Sequence, residues 1–171
     1  MRRNNQSLLF FLCSSLCCIL LLSCKGKTGG SIGVKKDFDT GLTSSYRNME
    51  PKKVFLVMNQ EVLNHVDIPI GEKFLLINED VRGLTEKDGK VSVGCSLKLT
   101  DQNGRILLDE QDLFAGNDIF KPEDAAVLRC TVTTGQPMQW EEKYNVAVKF
   151  WDKYGDGYID NRVVIRAIDI P

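Results

Sequence analysis

Three aspartates in the stretch WDKYGDGYID, residues 151–160, stand at spacings that suit cation binding. With Asp152 as position 1 of a twelve-residue calcium loop, Asp156 falls at 5, Gly157 at 6, Ile159 at 8 and Asp160 at 9, as in an EF-hand. Two positions break the pattern. Position 3 is Tyr154, which brings no carboxylate, and position 12 is Val163, where a bidentate glutamate belongs. An EF-hand loop also sits between helices, whereas YNVAVKFW before and RVVIRAIDI after both alternate like strands. The stretch therefore reads as the tight end of a β-hairpin. In that reading Gly155 and Gly157 supply positive φ, and Asp152 and Asp156 cap turns. The alternative is a calcium site of another type, built on Asp152, Asp156 and Asp160 with help from a neighbouring loop. Calcium is the one cofactor the residues suggest.

Other chemistry is sparse. Cys95 and Cys130 each fall on the apolar side of an alternating segment, so they read either as a disulfide between two sheets or as two buried thiols. His65 is the single histidine; it lies in NHVD with no nucleophile motif beside it and reads as a loop residue. Neither G-x-x-x-x-G-K nor G-x-G-x-x-G occurs, so nucleotide binding has no support. Acids are plentiful enough for the carboxylate pair of a glycan hydrolase, although those that can be placed fall mostly in turns. Trp151, Tyr154 and Tyr158 cluster at the hairpin end. Parity sets Trp151 opposite the Tyr144–Phe150 face, where an exposed ring beside carboxylates would stack on a sugar or grip a partner; the plainer reading is that the rings cover the sheet end. The connection 110–124, with Phe114, Ile119 and Phe120, is a binding loop or an apolar plug, and the plug is the plainer reading.

The elements that must hold these residues are strands. Val91, Val93, Cys95, Leu97 and Leu99 face one way, and Ser92, Gly94, Ser96 and Lys98 the other. A turn at DQNG, 101–104, leads into a return strand over 105–109. Tyr144, Val146, Val148 and Phe150 alternate with Asn145, Ala147 and Lys149, and Val163, Ile165 and Ala167 with Arg162, Val164 and Arg166. Further strands are expected near 53–58, 72–78 and 126–134, with a turn at 86–89 and one short helical turn after Pro122. Seven or eight short strands with almost no helix predict an all-β, antiparallel β-sandwich over 51–171, immunoglobulin-like first and a jelly roll second.

The N-terminus concerns location. Arg2 and Arg3 precede an apolar run, Leu8 to Leu22, that is short for a membrane span and suits a signal peptide. It ends in Leu21-Leu22-Ser23-Cys24, which resembles a bacterial lipobox. That resemblance implies a signal peptide over 1–23, an acylated Cys24 as the new N-terminus and a stable membrane anchor, since each buried methylene contributes about 0.8 kcal/mol. Removal of Arg2 and Arg3 leaves 20 basic and 23 acidic residues, a net charge of −3 and no nucleic-acid footprint. Residues 24–50 then read as the lipidated cysteine and a Gly-, Ser- and Lys-rich tether, its 26 residues after Cys24 spanning about 28 Å r.m.s. as a coil. Lys25 is not the aspartate that would signal inner-membrane retention, which points to the outer membrane. The whole looks like a tethered sandwich lipoprotein of the Bacteroidetes type. By that likeness it is a non-catalytic envelope protein that binds an envelope protein or a glycan; a calcium-stabilised sandwich and a glycan hydrolase are the alternatives.

Overall fold

Alternating side chains become strands because an extended chain sends successive residues to opposite faces, so a two-sided pattern buries one face only. In the computed structural model, which describes residues 30–169, twelve strands form this way. In order they are β1 (Ile32–Lys36), β2 (Thr43–Arg47), β3 (Lys53–Met58), β4 (Glu61–Val62), β5 (Asp67–Pro69), β6 (Lys73–Glu79), β7 (Val91–Asp101), β8 (Ile106–Glu110), β9 (Ile119–Phe120), β10 (Val127–Thr133), β11 (Lys143–Asp152) and β12 (Tyr158–Ile168). A single 3-10 turn, Asp124–Ala126, follows Pro122, where the short helical turn was expected. The signal segment and Cys24 lie outside the described residues.

The strands build two sheets, and the fold is a β-sandwich. The larger sheet runs β1-β2-β12-β11-β7-β8, with β5 added beside β12 and β9 beside β7; the smaller runs β10-β6-β3-β4. All pairings are antiparallel except β5 with β12. The inner faces meet in one core. Phe150, Val148, Ile159 and Ile165 of the large sheet pack in the same cluster as Phe74, Leu76 and Leu56 of the small one. Full burial of a side chain such as Phe150 or Phe74 contributes roughly 2–3 kcal/mol.

Two expectations are corrected. The strand count exceeds seven or eight, because the short strands β4, β5 and β9 each add to a sheet edge or flank. The expected tether over 24–50 is folded from residue 32 onward: β1 and β2 form a hairpin that β2 joins to β12, Ser44 opposite Asn161 and Tyr46 opposite Ile159. The cause is a polar core. Ser44, Asn78 and Asn161 are buried and satisfy one another across the two sheets. The Ser44 hydroxyl and the Asn78 amide, at 2.9 Å, both donate to Asn161 Oδ1, while Asn161 Nδ2 donates to Asn78 Oδ1 and to the Val148 carbonyl, each at 3.1 Å. A buried polar group that finds partners costs little, so Ser44 can face inward where an apolar residue would be expected.

Candidate functional site

The hairpin end is built around Asp152. Its backbone N–H donates to the Gly157 carbonyl at 2.9 Å, closing the loop between β11 and β12. Its side chain is buried, and both oxygens are taken by backbone amides: Thr85 N donates to Oδ2 at 2.7 Å and Tyr154 N to Oδ1 at 2.9 Å. The first bond ties the loop after β6 to the hairpin. Gly155 and Gly157 do not have positive φ, which corrects the expectation. They are glycines because of crowding: a Cβ on Gly155 would lie 2.6 Å from Asp152 Oδ2, and one on Gly157 3.1 Å from Met49 Cβ.

The three aspartates do not converge on one point. Asp156 accepts from Asn48 Nδ2 at 2.8 Å and pairs with Arg47 at 3.6 Å. Asp160 holds Arg162 through two bonds of 3.1 Å on the outer face of the sheet. Val163, at loop position 12, is buried in the core and offers no ligand. Strands flank the loop on both sides. Among the described residues no group of three His, Cys, Asp or Glu side chains is placed to hold a metal ion, so the alternative calcium set Asp152, Asp156 and Asp160 is not assembled.

A second cluster was not foreseen. Lys153 reaches Asp112 and Asp118 at 2.7 Å each, and Ser92 donates to Asp118 at 3.1 Å. Burial pushes the Asp112 carboxyl up, but hydrogen bonds from Lys153 and from the Cys95 and Phe114 amides outweigh it and hold it below the usual range. Lys153, then Ser92, hold Asp118 low as well, and the two carboxylates raise Lys153. A glycan hydrolase needs one carboxyl kept protonated as general acid; here both are stabilised as anions. The cluster pins the 110–124 connection to the hairpin. Phe114 folds back against Phe120 and Phe150, with ring centroids 5.8 and 6.1 Å apart, so the connection is the plug, while Ile119 stays exposed. His65 is exposed between β4 and β5.

The aromatic trio divides. Tyr154 lies in the loop with Lys87 Nζ 4.7 Å above its ring. Trp151 and Tyr158 are cross-strand partners on the outer face of the large sheet, and Lys149 Nζ lies 5.1 Å over the Tyr158 ring. Gly94 is the neighbour of Trp151 on β7, and any Cβ there would collide with the indole atoms Cε2 and Cζ2. The indole thus sits over the β7 backbone at Gly94, on a spot that only glycine leaves open. Beyond this row, a shallow groove of about 580 Å³ crosses β2, β12, β11 and β7 on the same face. Thr43, Arg162, Ala147 and Lys98 line it in one cross-strand row, and Val164, Asn145 and Thr100 in the next. Sequence reading named Trp151 and missed the groove, although strand parity from Trp151 alone gives Asn145, Ala147 and Lys149 on the same face.

Cys95 on β7 and Cys130 on β10 are buried free thiols on the inner sides of the two sheets, in the same core cluster.

No protein-family model matches the chain, and no curated protein matches it.

Proposed function

We propose that this is a non-catalytic envelope lipoprotein, acylated at Cys24, that binds an extended envelope glycan on the outer face of its large sheet. The observation that carries the reading is the indole of Trp151 set over Gly94, with a groove two cross-strand rows further along the same face. A ring fixed in this way loses no further freedom when a sugar stacks on it, and cutting that ordering cost favours binding. Thr43, Arg162, Asn145 and Lys98 line that groove, and although Arg162 is held by Asp160, Lys98 by Asp109 and the Asn145 amide by the Asp101 carbonyl, each keeps a further donor or acceptor for a sugar hydroxyl.

A second reading has its own support. Ile32 and Val34, 78% and 63% exposed, stand on the outer side of β1, the free edge of the sheet. An edge strand with uncovered apolar side chains suits a protein partner in an envelope assembly. The experiment is a glycan array probed with the detergent-solubilised full chain, beside a crosslinking pull-down from intact cells. Signal on one glycan class, reduced tenfold or more in Trp151→Ala, supports the first reading. An array without signal, together with envelope proteins retained through Ile32→Lys-sensitive crosslinks, replaces it with the second.

A further inference from the structure

We propose that Cys95 and Cys130 are joined by a disulfide that clamps the two sheets together in the exported protein. The geometry comes from register. Cys95 lies opposite Phe150 on β7, one strand in from the β8 edge of the large sheet, and Cys130 opposite Leu76 on β10, the edge strand of the small one. Both side chains point into the core, Cys95 at 0% and Cys130 at 2% exposure, and belong to the same packed cluster. One residue of slip on either strand would turn its thiol to the other face, so the pairing is selected by the same alternation that builds the sandwich. The proposal rests on the export reading only for its oxidant. In an oxidising compartment a thiol–disulfide oxidoreductase carries the reaction. One thiolate attacks the oxidoreductase's disulfide, giving a mixed disulfide and releasing one enzyme thiol. The second thiolate then displaces the enzyme, which leaves with both electrons as a dithiol, while the two cysteines lose their protons to solvent.

Timing follows from burial. The Cys95 thiol is pushed up by its hydrogen bond to Cys130 and by burial, with the Asp112 charge acting the same way. A buried thiol held protonated is a poor nucleophile and is closed to a protein oxidant. The bond therefore forms while the chain folds, and the folded reduced protein stays reduced for long periods in air.

The test reads the bond directly. The full chain, expressed with its own leader in a bacterial host, is quenched in acid, blocked with N-ethylmaleimide and digested with trypsin without reductant. The expected product is VSVGCSLK (91–98) joined to CTVTTGQPMQWEEK (130–143), lost on reduction. The same full chain is also unfolded and refolded with a glutathione redox couple. A link that forms on refolding but not in cells overturns the clamp in the exported protein and, with it, the export reading, while the pairing geometry stands. Free thiols in both arms overturn the pairing itself. Reduction of the linked protein is expected to lower Tm by roughly 10 °C, the effect of opening a loop of about 35 residues. The double variant Cys95→Ala/Cys130→Ala should melt no higher than the reduced protein and should not respond to reductant.

Discussion

Replacing Asp152 by alanine separates the hairpin reading from the calcium reading more sharply than any other single change. The side chain is buried and accepts two backbone amides, Thr85 N at 2.7 Å and Tyr154 N at 2.9 Å. A hydrogen bond to a charged group contributes about 1.5–3 kcal/mol net. Thr85 is exposed, so water can replace part of its bond once the carboxylate is gone. The sum is then about 2–4 kcal/mol, which for a domain of this size lowers Tm by roughly 6–15 °C. Asp152→Asn should fall between the two, because one amide oxygen replaces one acceptor while the NH₂ confronts the other backbone N–H. Calorimetry with calcium and with EDTA is the assay. If the carboxylate serves the backbone, wild type and both variants melt at temperatures independent of calcium, in the order wild type, Asn, Ala. The reasoning fails if Asp152→Ala melts within about 2 °C of wild type, or if calcium raises the wild-type Tm and the substitution abolishes that rise.

Two further outcomes test the framework around the site. Asp112 and Asp118 are held low, so the stability they contribute is present above the unfolded carboxylate pKa of about 3.9 and is lost as pH falls through their depressed folded values. Lys153 is held high, so its contribution is present below about 10.4 and is lost as pH rises through its raised folded value. Lys153→Met should therefore lose stability at neutral pH and flatten the decline at both ends, read as urea midpoints from pH 3 to 11; a decline as steep as wild type removes the cluster from the account. Asn161→Ala strands the Ser44 hydroxyl, both ends of the Asn78 amide and the Val148 carbonyl, which should cost about 3–5 kcal/mol in urea unfolding. The double variant Asn78→Leu/Asn161→Leu should cost less than the sum of its two single changes, since it leaves fewer unpaired groups; strict additivity would mean that the two amides act separately.

Legibility in the sequence followed the polarity of the inward face. Strands β7, β10 and β11 bury apolar residues at every second position, and their extents were readable to within about two residues. β1 and β2 were not. β2 buries Ser44 beside Tyr46, and β1 is an edge whose Ile32 and Val34 face solvent, so neither shows a buried apolar alternation. The partner that makes Ser44 an inward residue is 117 positions away, beyond any local window. The same contrast divides the site. Trp151 was placed on the outer face by counting parity within one strand. Its support by Gly94 depends on the β7–β11 register, and the Lys153 cluster on how the 110–124 connection folds back; no local pattern encodes either.

The folded hairpin β1–β2 also changes the mechanics of the proposed anchor. A tether through residue 50 would let the domain roam about 28 Å from the bilayer. With strand structure from Ile32 and the first described residue at Gly30, six steps of chain separate Cys24 from the fold, and covalent geometry limits them to about 20 Å at full stretch. The chain enters beside the hairpin end: the Ser31 carbonyl accepts from Asn48 N, and Asn48 Nδ2 holds Asp156. Ile32 shares a cross-strand row with Arg47, Tyr158, Trp151 and Gly94. On the proposed acylation, the row that carries the aromatic platform is therefore the part of the outer face nearest the lipid. A glycan bound there would be met close to the membrane surface, with the groove through Arg162 and Ala147 extending away from it. A ligand that is itself anchored in the same bilayer satisfies that geometry better than one held far out in the envelope, because the short leash raises its effective concentration only within that layer.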